Sequence, residues 1–427
     1  MRRRFLIRSS LSDLVSLGAA MVVASFYVFG TVLPWNSIVG GTRSIPMVVY
    51  LTLSMIVFSM LTAQMSGPGV PRPSYGRMFA IFLGTGGLTA LLILFSRDYF
   101  SRRFLIVTAV SWLVLATAHR MVRRRRPWTE RIALITGEKQ LAEDLIDSPH
   151  AEVVWVLDPK SESVPDLPER DVTMAVDLKV VLSERVAQFL SSSDVAGYTI
   201  RPFTSTYEEH TGRVPLVHLA EGWEISAPLL EVAPWLPGKR AVETLATVIT
   251  APIWVTLSVI VAAYLRLTFS GPVLFRQERV GLGGAPFIMY KFRTMGHDAE
   301  KDGPSFASER DHRIIRGGRF LRKSRLDEIP QLFNVLRGEM SLVGPRAEQV
   351  PFADVFRSQI PFYAHRHLVR PGITGWAQVN YGYADDQADT VEKLTYDLYY
   401  IKHMSPVMDL RVLWKSVWTV LTGFGAR

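Results

Sequence analysis

The chain has 427 residues, of which 48% are hydrophobic, with a net charge of +9 and no cysteine. The apolar content excludes a low-complexity disordered protein. The lack of cysteine excludes disulfides, thiolate nucleophiles and Cys-ligated zinc or iron–sulfur sites. A basic chain could bind nucleic acid, but in this protein the net charge changes sign from one region of the chain to the next. Residues 1–126 hold 15 basic and 2 acidic side chains, residues 127–238 hold 8 and 19, and residues 239–427 hold 25 and 18. We therefore predict three domains with these bounds and no nucleic-acid partner.

Residues 1–126 contain four apolar runs, each close to the length of about 20 residues that a helix needs to cross a bilayer. We predict transmembrane helices at about residues 11–33, 45–65, 78–96 and 104–120. The last run is short, and we expect Arg120 and its neighbour His119 to reach up to the lipid headgroups. With the N-terminus inside, 11 of the 15 basic residues fall on the cytoplasmic side, as the positive-inside rule requires. These patterns predict a multi-pass membrane protein.

Residues 127–238 alternate between strand and helix patterns. Residues 131–136 and 152–158 have the composition of strands, and helical patterns follow Gly137 and begin again near 181. This alternation predicts a Rossmann-like α/β domain with a parallel sheet. Gly137 stands alone where a dinucleotide-binding turn carries three glycines, so we interpret the domain as degenerate, with a regulatory or structural role. Three prolines within residues 227–238 predict a linker.

A fifth apolar run covers residues 244–265 and contains Pro252. Proline removes a helix hydrogen bond and clashes with the preceding turn, which predicts a break. Basic residues flank the run on both sides, which favours two cytoplasmic ends. We therefore predict a re-entrant helix over about residues 241–266. The alternative is an ordinary kinked span, which would place the rest of the chain outside.

Asp327 and Glu328 lie just ahead of Pro330, with Ile329 between them, and proline favours the first turn of a helix. The two carboxylates are therefore expected at a helix N-terminus, where an ordinary N-cap is the simplest interpretation. Six arginines precede the pair at every third position: Arg310, Arg313, Arg316, Arg319, Arg322 and Arg325. Adjacent acids among arginines suit phosphoryl chemistry, in which one carboxylate attacks phosphorus and the other holds Mg²⁺. A solvated basic face at the membrane surface remains the alternative for the arginines.

Other strings strengthen the chemical interpretation. Lys291 and Arg293 stand two apart, on one face if the backbone is extended, and Arg346 ends the loop string SLVGPR. The turn-forming string RPGITGWAQ contains Arg370 and Gln378. Near the C-terminus, apolar residues at 3–4 spacing predict an interfacial amphipathic helix. They are Leu410, Leu413, Trp414, Val417, Trp418 and Leu421.

These strings, together with GPVLFRQERVG at 271–281 and LTYDLYYIK at 394–402, resemble the bacterial sugar transferase family. Its members are polyprenyl-phosphate glycosyl-1-phosphate transferases of the monotopic type. The resemblance covers about residues 240–427, and the four apolar runs ahead of an α/β module are similar to the larger exopolysaccharide-priming branch. At positions 251 and 347 this chain has alanine, where many family members have a different residue.

The resemblance implies a mainly helical catalytic domain on the cytoplasmic side of the bacterial inner (plasma) membrane. It also implies transfer of a hexose-1-phosphate from a UDP-sugar to undecaprenyl phosphate, with release of UMP, as the first membrane step of exopolysaccharide or capsule synthesis. The family pattern makes Asp327 the nucleophile and Glu328 the Mg²⁺ ligand. It assigns phosphate or nucleotide-sugar binding to Lys291, Arg293, Arg346, Arg370 and Gln378, and the helix break to Pro252. The resemblance is compatible with a homodimer. The alternative from another class is a non-catalytic scaffold or regulator of polysaccharide assembly.

Overall fold

A computed structural model of the chain describes residues 2–34, 38–39, 42–43, 45–64, 75–96, 101–124, 129–167, 171–219, 235–269, 271–296, 313–381 and 387–422. Residues 227–234 of the predicted linker lie outside the described residues. The chain forms two compact units. The first comprises Met1–Val176 and Val180–Arg201, and the second comprises Asp177–Lys179 and Pro202–Arg427.

The first unit begins with four long helices, α1 (Arg2–Phe29), α2 (Ile45–Gln64), α3 (Tyr75–Ser96) and α4 (Arg102–Arg124). A two-residue antiparallel pair, β1 (Ile38–Val39) and β2 (Thr42–Arg43), stands between α1 and α2. All four helices are long and apolar enough to cross a membrane, as is a fifth in the second unit. One side of each helix packs into a common core around Leu17, Met55, Ile81 and Trp112, whereas residues such as Phe26 and Leu94 are exposed. The chain is therefore a membrane protein.

A buried ionic cluster joins the helices at one end. Asp13 of α1 accepts from Arg120 of α4 at 2.9 Å and lies 4.0 Å from Arg77 of α3. Arg77 also donates to Ser10 of α1 at 2.9 Å and to the backbone oxygen of Ser59 of α2 at 3.3 Å. Arg120 therefore points into the bundle and not up to the headgroups, because burial beside Asp13 gives its guanidinium an anionic partner.

We expect Asp13→Ala to destabilise the bundle by about 3–5 kcal/mol, because it leaves two buried guanidinium groups without their carboxylate. Thermal unfolding of the detergent-solubilised protein measures the loss. The matched control is Glu152→Ala, which removes a largely exposed partner of Arg131 and should cost about 0–1 kcal/mol. Equal midpoints for the two variants would contradict a stabilising role for Asp13.

The rest of the first unit is an α/β fold. Its strands are β3 (Glu130–Ile135), β4 (Ala151–Leu157), β5 (Val172–Val176) and β6 (Thr199–Pro202), in the spatial order β4-β3-β5-β6. β3 pairs in parallel with both β4 and β5. Helix α5 (Lys139–Ile146) connects β3 to β4, and α6 (Glu184–Val195) connects β5 to β6. The mixed α/β domain with a parallel sheet is confirmed. The described residues between β4 and β5 form no helix, so the strand–helix alternation is incomplete there.

The described residues of the second unit form nine helices. They are α7 (Phe203–Thr211), α8 (Trp235–Ile249), α9 (Ala251–Thr268), α10 (Gly318–Lys323), α11 (Gln331–Arg337), α12 (Val350–Gln359), α13 (Trp376–Asn380), α14 (Gln387–Lys402) and α15 (Pro406–Thr422). Strands β7 (Leu274–Val280) and β8 (Pro286–Phe292) form an antiparallel hairpin. The short strands β9 (Ser341–Val343) and β10 (Gly372–Thr374) pair in parallel.

The fifth apolar run is broken, as its proline predicts. α8 ends at Ile249 and α9 begins at Ala251, with Pro252 in its first turn. The indole N–H of Trp254 donates to the backbone oxygen of Thr247 at 2.9 Å across the break. This bond satisfies one carbonyl that the interrupted helix leaves free. Outward-facing residues of both helices, such as Ile249 and Val259, are exposed, which suits contact with lipid.

Helix α8 is attached to the rest of the unit by two buried charged side chains. Glu243 accepts from the hydroxyl of Ser341 at 2.6 Å and from the backbone N–H of Leu342 at 3.1 Å. Lys239 donates to Asp409 of α15 at 2.6 Å and to the backbone oxygen of Val343 at 3.1 Å. These bonds fix α8 and α15 against strand β9.

Helix α15 has two different faces. Met408 and Val412 are buried in the core of the unit, whereas Leu413, Trp414 and Val417 are exposed. The helix therefore both packs on the core and presents an apolar face outward. The interfacial location predicted for it remains a prediction.

Candidate active site

Asp327 and Glu328 lie in a single 3₁₀ turn, Leu326–Glu328, just ahead of α11. Pro330 occupies the N-cap and not the first turn, so the helix starts slightly later than its proline predicts. Arg325 precedes the turn with a φ of 59°, in the left-handed region. This conformation ends the run from α10 and turns the chain sharply into the acidic pair.

Asn334 fixes helix α11, and with it the acidic pair, against strand β8. Its amide N–H donates to the backbone oxygen of Ile288 at 2.7 Å, and its side-chain oxygen accepts from the backbone N–H of Tyr290 at 3.2 Å. The side chain is fully buried. Lys291, the next residue of the strand, is thereby held beside Glu328.

Three cations from three separate segments surround the carboxylate of Glu328. Its Oε1 accepts from Arg346 at 2.7 Å and lies 3.5 Å from the Nζ of Lys291 and 3.7 Å from Arg325. Burial alone would raise the pKa of Glu328, but Arg346, Lys291 and Arg325 outweigh it and hold the pKa well below its usual range. Glu328 is therefore ionised at every physiological pH.

Asp327 has the opposite environment although it is the adjacent residue. Burial, and then the negative charge of Glu328, raise the pKa of Asp327 to about 6. Its Oδ1 is buried and has no hydrogen-bond partner among the described residues. A buried carboxylate oxygen without a donor is both costly and reactive, because nothing solvates its charge. Asp327 is thus the less stabilised acid of the pair.

Lys291 completes the charged group. Burial, and then the nearby Arg346, lower the pKa of its ammonium group to about 8. The group therefore holds three cations against two carboxylates when all are ionised. This surplus of positive charge in a buried site favours an anionic ligand.

The loop that carries Arg346 is packed backbone to backbone against the loop that carries β10. A Cβ added at Gly372 would lie 2.1 Å from the nitrogen of Gly344, and one added at Gly375 would lie 2.3 Å from the oxygen of Gly344. The N–H of Gly344 donates to the oxygen of Thr374 at 2.9 Å. The glycines of the two strings are therefore required for a close approach that aims Arg346 at the acidic pair.

The C-terminal part of the chain matches the family model described as "Bacterial sugar transferase" over residues 235–423. A UDP-glucose:undecaprenyl-phosphate glucose-1-phosphate transferase from Caulobacter vibrioides is 42% identical over 190 residues, which are 43% of this chain and 70% of that protein. The chain belongs to the bacterial sugar transferase family. A UDP-N-acetylgalactosamine-undecaprenyl-phosphate N-acetylgalactosaminephosphotransferase from Aeromonas hydrophila is 44% identical over 243 residues, 56% of each chain. An Escherichia coli UDP-glucose:undecaprenyl-phosphate glucose-1-phosphate transferase is 39% identical over 241 residues, 55% of this chain and 49% of that protein. The match thus spans about half the length of these last two relatives.

Of the site residues predicted by the resemblance to this family, the structure brings Asp327, Glu328, Lys291 and Arg346 together. The other three have different partners. Arg293 donates to the oxygen of Pro272 at 3.0 Å, and Arg370 donates to the oxygen of Gly338 at 2.8 Å, at the far end of α11. Gln378 donates to the oxygen of Ile373 at 3.3 Å, while its own side-chain oxygen is buried and meets no partner in the part of the chain that the structure describes. Their predicted binding roles remain predictions.

The arginine repeat is not a continuous helical face. α10 covers Gly318–Lys323 alone, after Gly317 in the left-handed region, so the repeat is interrupted where its glycines indicate. Arg325 is the member that lies beside Glu328, and Arg310 falls outside the described residues.

A buried network behind Arg346 was missed at the sequence level. Arg366 donates to the backbone oxygen of Arg346 at 3.0 Å, to Asp397 at 2.8 Å and to the hydroxyl of Tyr363 at 2.7 Å. Glu348 lies 3.7 Å from Arg366 and 3.8 Å from Lys393. Burial works against the charge of Glu348, but Lys393 and Arg366 keep its pKa below the usual value. Asp397 belongs to the string 394–402, so its pairing gives that string a physical role in holding the Arg346 loop.

We expect Gly372→Ala to lower stability by about 1–3 kcal/mol, because the added methyl group has no space beside the backbone of Gly344. Gly296→Ala is the control, since the nearest atom to a Cβ there is the Arg313 oxygen at 3.8 Å. Thermal unfolding compares the two. A midpoint for Gly372→Ala equal to that of the control would show that the two loops are not held this closely.

Proposed function

We propose that the chain transfers a hexose-1-phosphate from a UDP-sugar to undecaprenyl phosphate and releases UMP. The observation that carries the proposal is the unequal acidic pair: Asp327 with a raised pKa and a buried, unpartnered oxygen, beside Glu328 with three cations. Relatives that match the domain are named for transfer of glucose-1-phosphate or N-acetylgalactosamine phosphate to undecaprenyl phosphate. A hexose or an N-acetylhexosamine is thus the sugar class to test first.

The proposed reaction has two displacements at one phosphorus atom. The carboxylate of Asp327 attacks the phosphorus that bears the sugar, an oxygen–phosphorus bond forms, and the bond to UMP breaks. An oxygen of the lipid phosphate then attacks the same phosphorus, forms the sugar diphospholipid and releases the carboxylate. Arg346, Lys291 and Arg325 stabilise the charge of the transferred phosphoryl group.

The carboxylate oxygens of Asp327 and Glu328 are suitable ligands for Mg²⁺. The described residues include no cluster of three or more metal-binding side chains, so Asp327 and Glu328 are the candidate ligands. The unpartnered oxygen of Asp327 and the charge of Glu328 fit a cation once a diphosphate has offset the surrounding positive charge. We infer that Glu328 would hold Mg²⁺, which would neutralise the diphosphate oxygens.

The membrane arrangement is part of the proposal. We infer that α1 to α4 cross the inner membrane, that the α8–α9 pair enters and leaves the cytoplasmic leaflet, and that the catalytic domain faces the cytoplasm. The break at Thr250 and the exposed apolar faces of α8, α9 and α15 support this arrangement. A site at headgroup depth would meet both a lipid phosphate and a soluble nucleotide sugar. We propose that the product starts exopolysaccharide or capsule synthesis.

We expect Asp327→Asn to lower kcat for UMP release by about 10⁴-fold or more, because the amide cannot form the covalent intermediate. The assay uses undecaprenyl phosphate with a panel of UDP-hexoses and UDP-N-acetylhexosamines. Asp354→Asn, at an exposed carboxylate of α12, is the control. Wild-type turnover in Asp327→Asn would remove this residue as the nucleophile.

The wild-type protein should also exchange labelled UMP into the UDP-sugar without lipid, and no exchange would favour direct displacement. A wild-type chain that releases no UMP from any donor would support the scaffold alternative.

The pH profile of kcat/KM should be bell-shaped. Below about pH 6 Asp327 becomes protonated and loses its nucleophilicity, and above about pH 8 Lys291 loses its charge. Lys291→Arg should remove the alkaline limb, because arginine stays charged across this range. Lys323→Arg, at an exposed position of α10, is the matched control. An alkaline limb that persists in Lys291→Arg would assign it to another group.

A further inference from the structure

Residues 203–219, which we name the docking segment, lie ahead of the region matched by the family model yet belong to the same compact unit. The segment begins where β6 ends, with α7, so it continues directly from the α/β domain. Val214 and Leu219 are buried in the core of the unit with Trp376, Leu394 and Tyr399. A segment outside the family region thus completes the hydrophobic core inside it.

Specific polar contacts hold the docking segment on helix α14. Glu208 is buried and accepts from Lys402 at 2.8 Å, with the ring nitrogen of His403 also at 2.8 Å. Arg213 pairs with Glu392, and the N–H of Val214 donates to the backbone oxygen of Thr395 at 3.1 Å. Ion pairs, a hydrogen bond to a histidine ring and a backbone hydrogen bond are thus spread along one helix. Together they fix the position of the docking segment along α14, which nonspecific apolar packing would not do.

The docking segment also contacts the first residue of α13, the helix that follows β10. The indole N–H of Trp376 donates to the backbone oxygen of Gly212 at 2.9 Å, and the ring stacks on Tyr399 with centroids 5.9 Å apart. Gly212 has a φ of +70°, and a Cβ there would lie 3.1 Å from the Trp376 ring. The indole is therefore enclosed between the docking segment and α14, and its orientation depends on both.

From Trp376 a short series of backbone contacts leads to the acidic pair. Gly375 precedes Trp376 and touches Gly344, and Thr374 accepts from the N–H of Gly344. Two residues further on, Arg346 donates to Glu328. The steps that are not covalent are a hydrogen bond and a contact without space for a methyl group. This series is therefore a route by which a displacement of the indole would reach the site.

We propose that the docking segment is a positioning element, which holds residues 372–378, from β10 into α13, in the geometry that binds the nucleotide sugar. The inference rests on the proposed function and deepens it. Because the proposal assigns residues 372–378 to the donor, we expect the docking segment to affect binding of the UDP-sugar and not binding of the acceptor lipid phosphate.

The test compares two identical substitutions in the full-length chain. Val214→Ala removes a buried side chain of the docking segment, whereas Val217→Ala removes an exposed one, 63% accessible. We expect Val214→Ala to raise KM for the UDP-sugar about 3- to 10-fold and to leave KM for undecaprenyl phosphate unchanged. Val217→Ala should leave both values unchanged. Hydrogen exchange of residues 372–380 should quicken in Val214→Ala alone.

A merely structural role predicts a different result. Val214→Ala would then lower the unfolding temperature and the fraction of active protein. The KM for the UDP-sugar and the hydrogen exchange of residues 372–380 would stay unchanged, and this result would overturn the proposal. If Val214→Ala does not fold, Glu208→Gln keeps the side-chain size, removes the charge partner of Lys402 and must give the same KM and exchange changes. If the wild-type chain releases no UMP, the proposed function fails. Hydrogen exchange still decides whether the docking segment holds residues 372–378.

Discussion

The ion pairs of Glu328 are the constraint on which the catalytic unit depends. A buried carboxylate is costly unless it is paired, and its partners come from strand β8, the turn before the acidic pair and the loop after β9. The three segments must therefore converge for the unit to fold. The same convergence leaves Asp327 next to a fixed negative charge and among cations, which separates the pKa values of two neighbouring acids.

Buried ion pairs recur wherever elements distant in sequence have to meet. Asp13 joins Arg120 in the four-helix region, Lys239 joins Asp409, and Arg366 joins Asp397 behind Arg346. Such pairs add little net stability compared with apolar packing of the same volume. They penalise wrong registers, because a slipped helix would leave a charge unpaired. In this protein the helices that contact lipid need this specificity most, since lipid gives apolar faces little reason to prefer one neighbour.

The sequence predicts the local features of the fold well and the long-range pairings poorly. Apolar runs locate the five long apolar helices, and Pro252 locates the break. The acidic pair stands out because its residues are adjacent. In contrast, Asp397 and Arg366 lie 31 positions apart and Glu243 and Ser341 98 apart, and neither pair has a periodicity that reveals it. Arg120 shows how a local rule misleads: beside a headgroup it would extend outward, but Asp13 offers a closer anion.

Arg325 combines a backbone that favours glycine with a side chain that the site requires. Its left-handed φ of 59° costs a residue with a Cβ about 1 kcal/mol that glycine would not lose. A glycine would relax the turn, yet it would remove one of the three cations around Glu328. Selection for stability alone would thus favour replacing Arg325, and selection for charge balance would retain it. At this position the stability of the turn and the charge balance of the site therefore favour different residues.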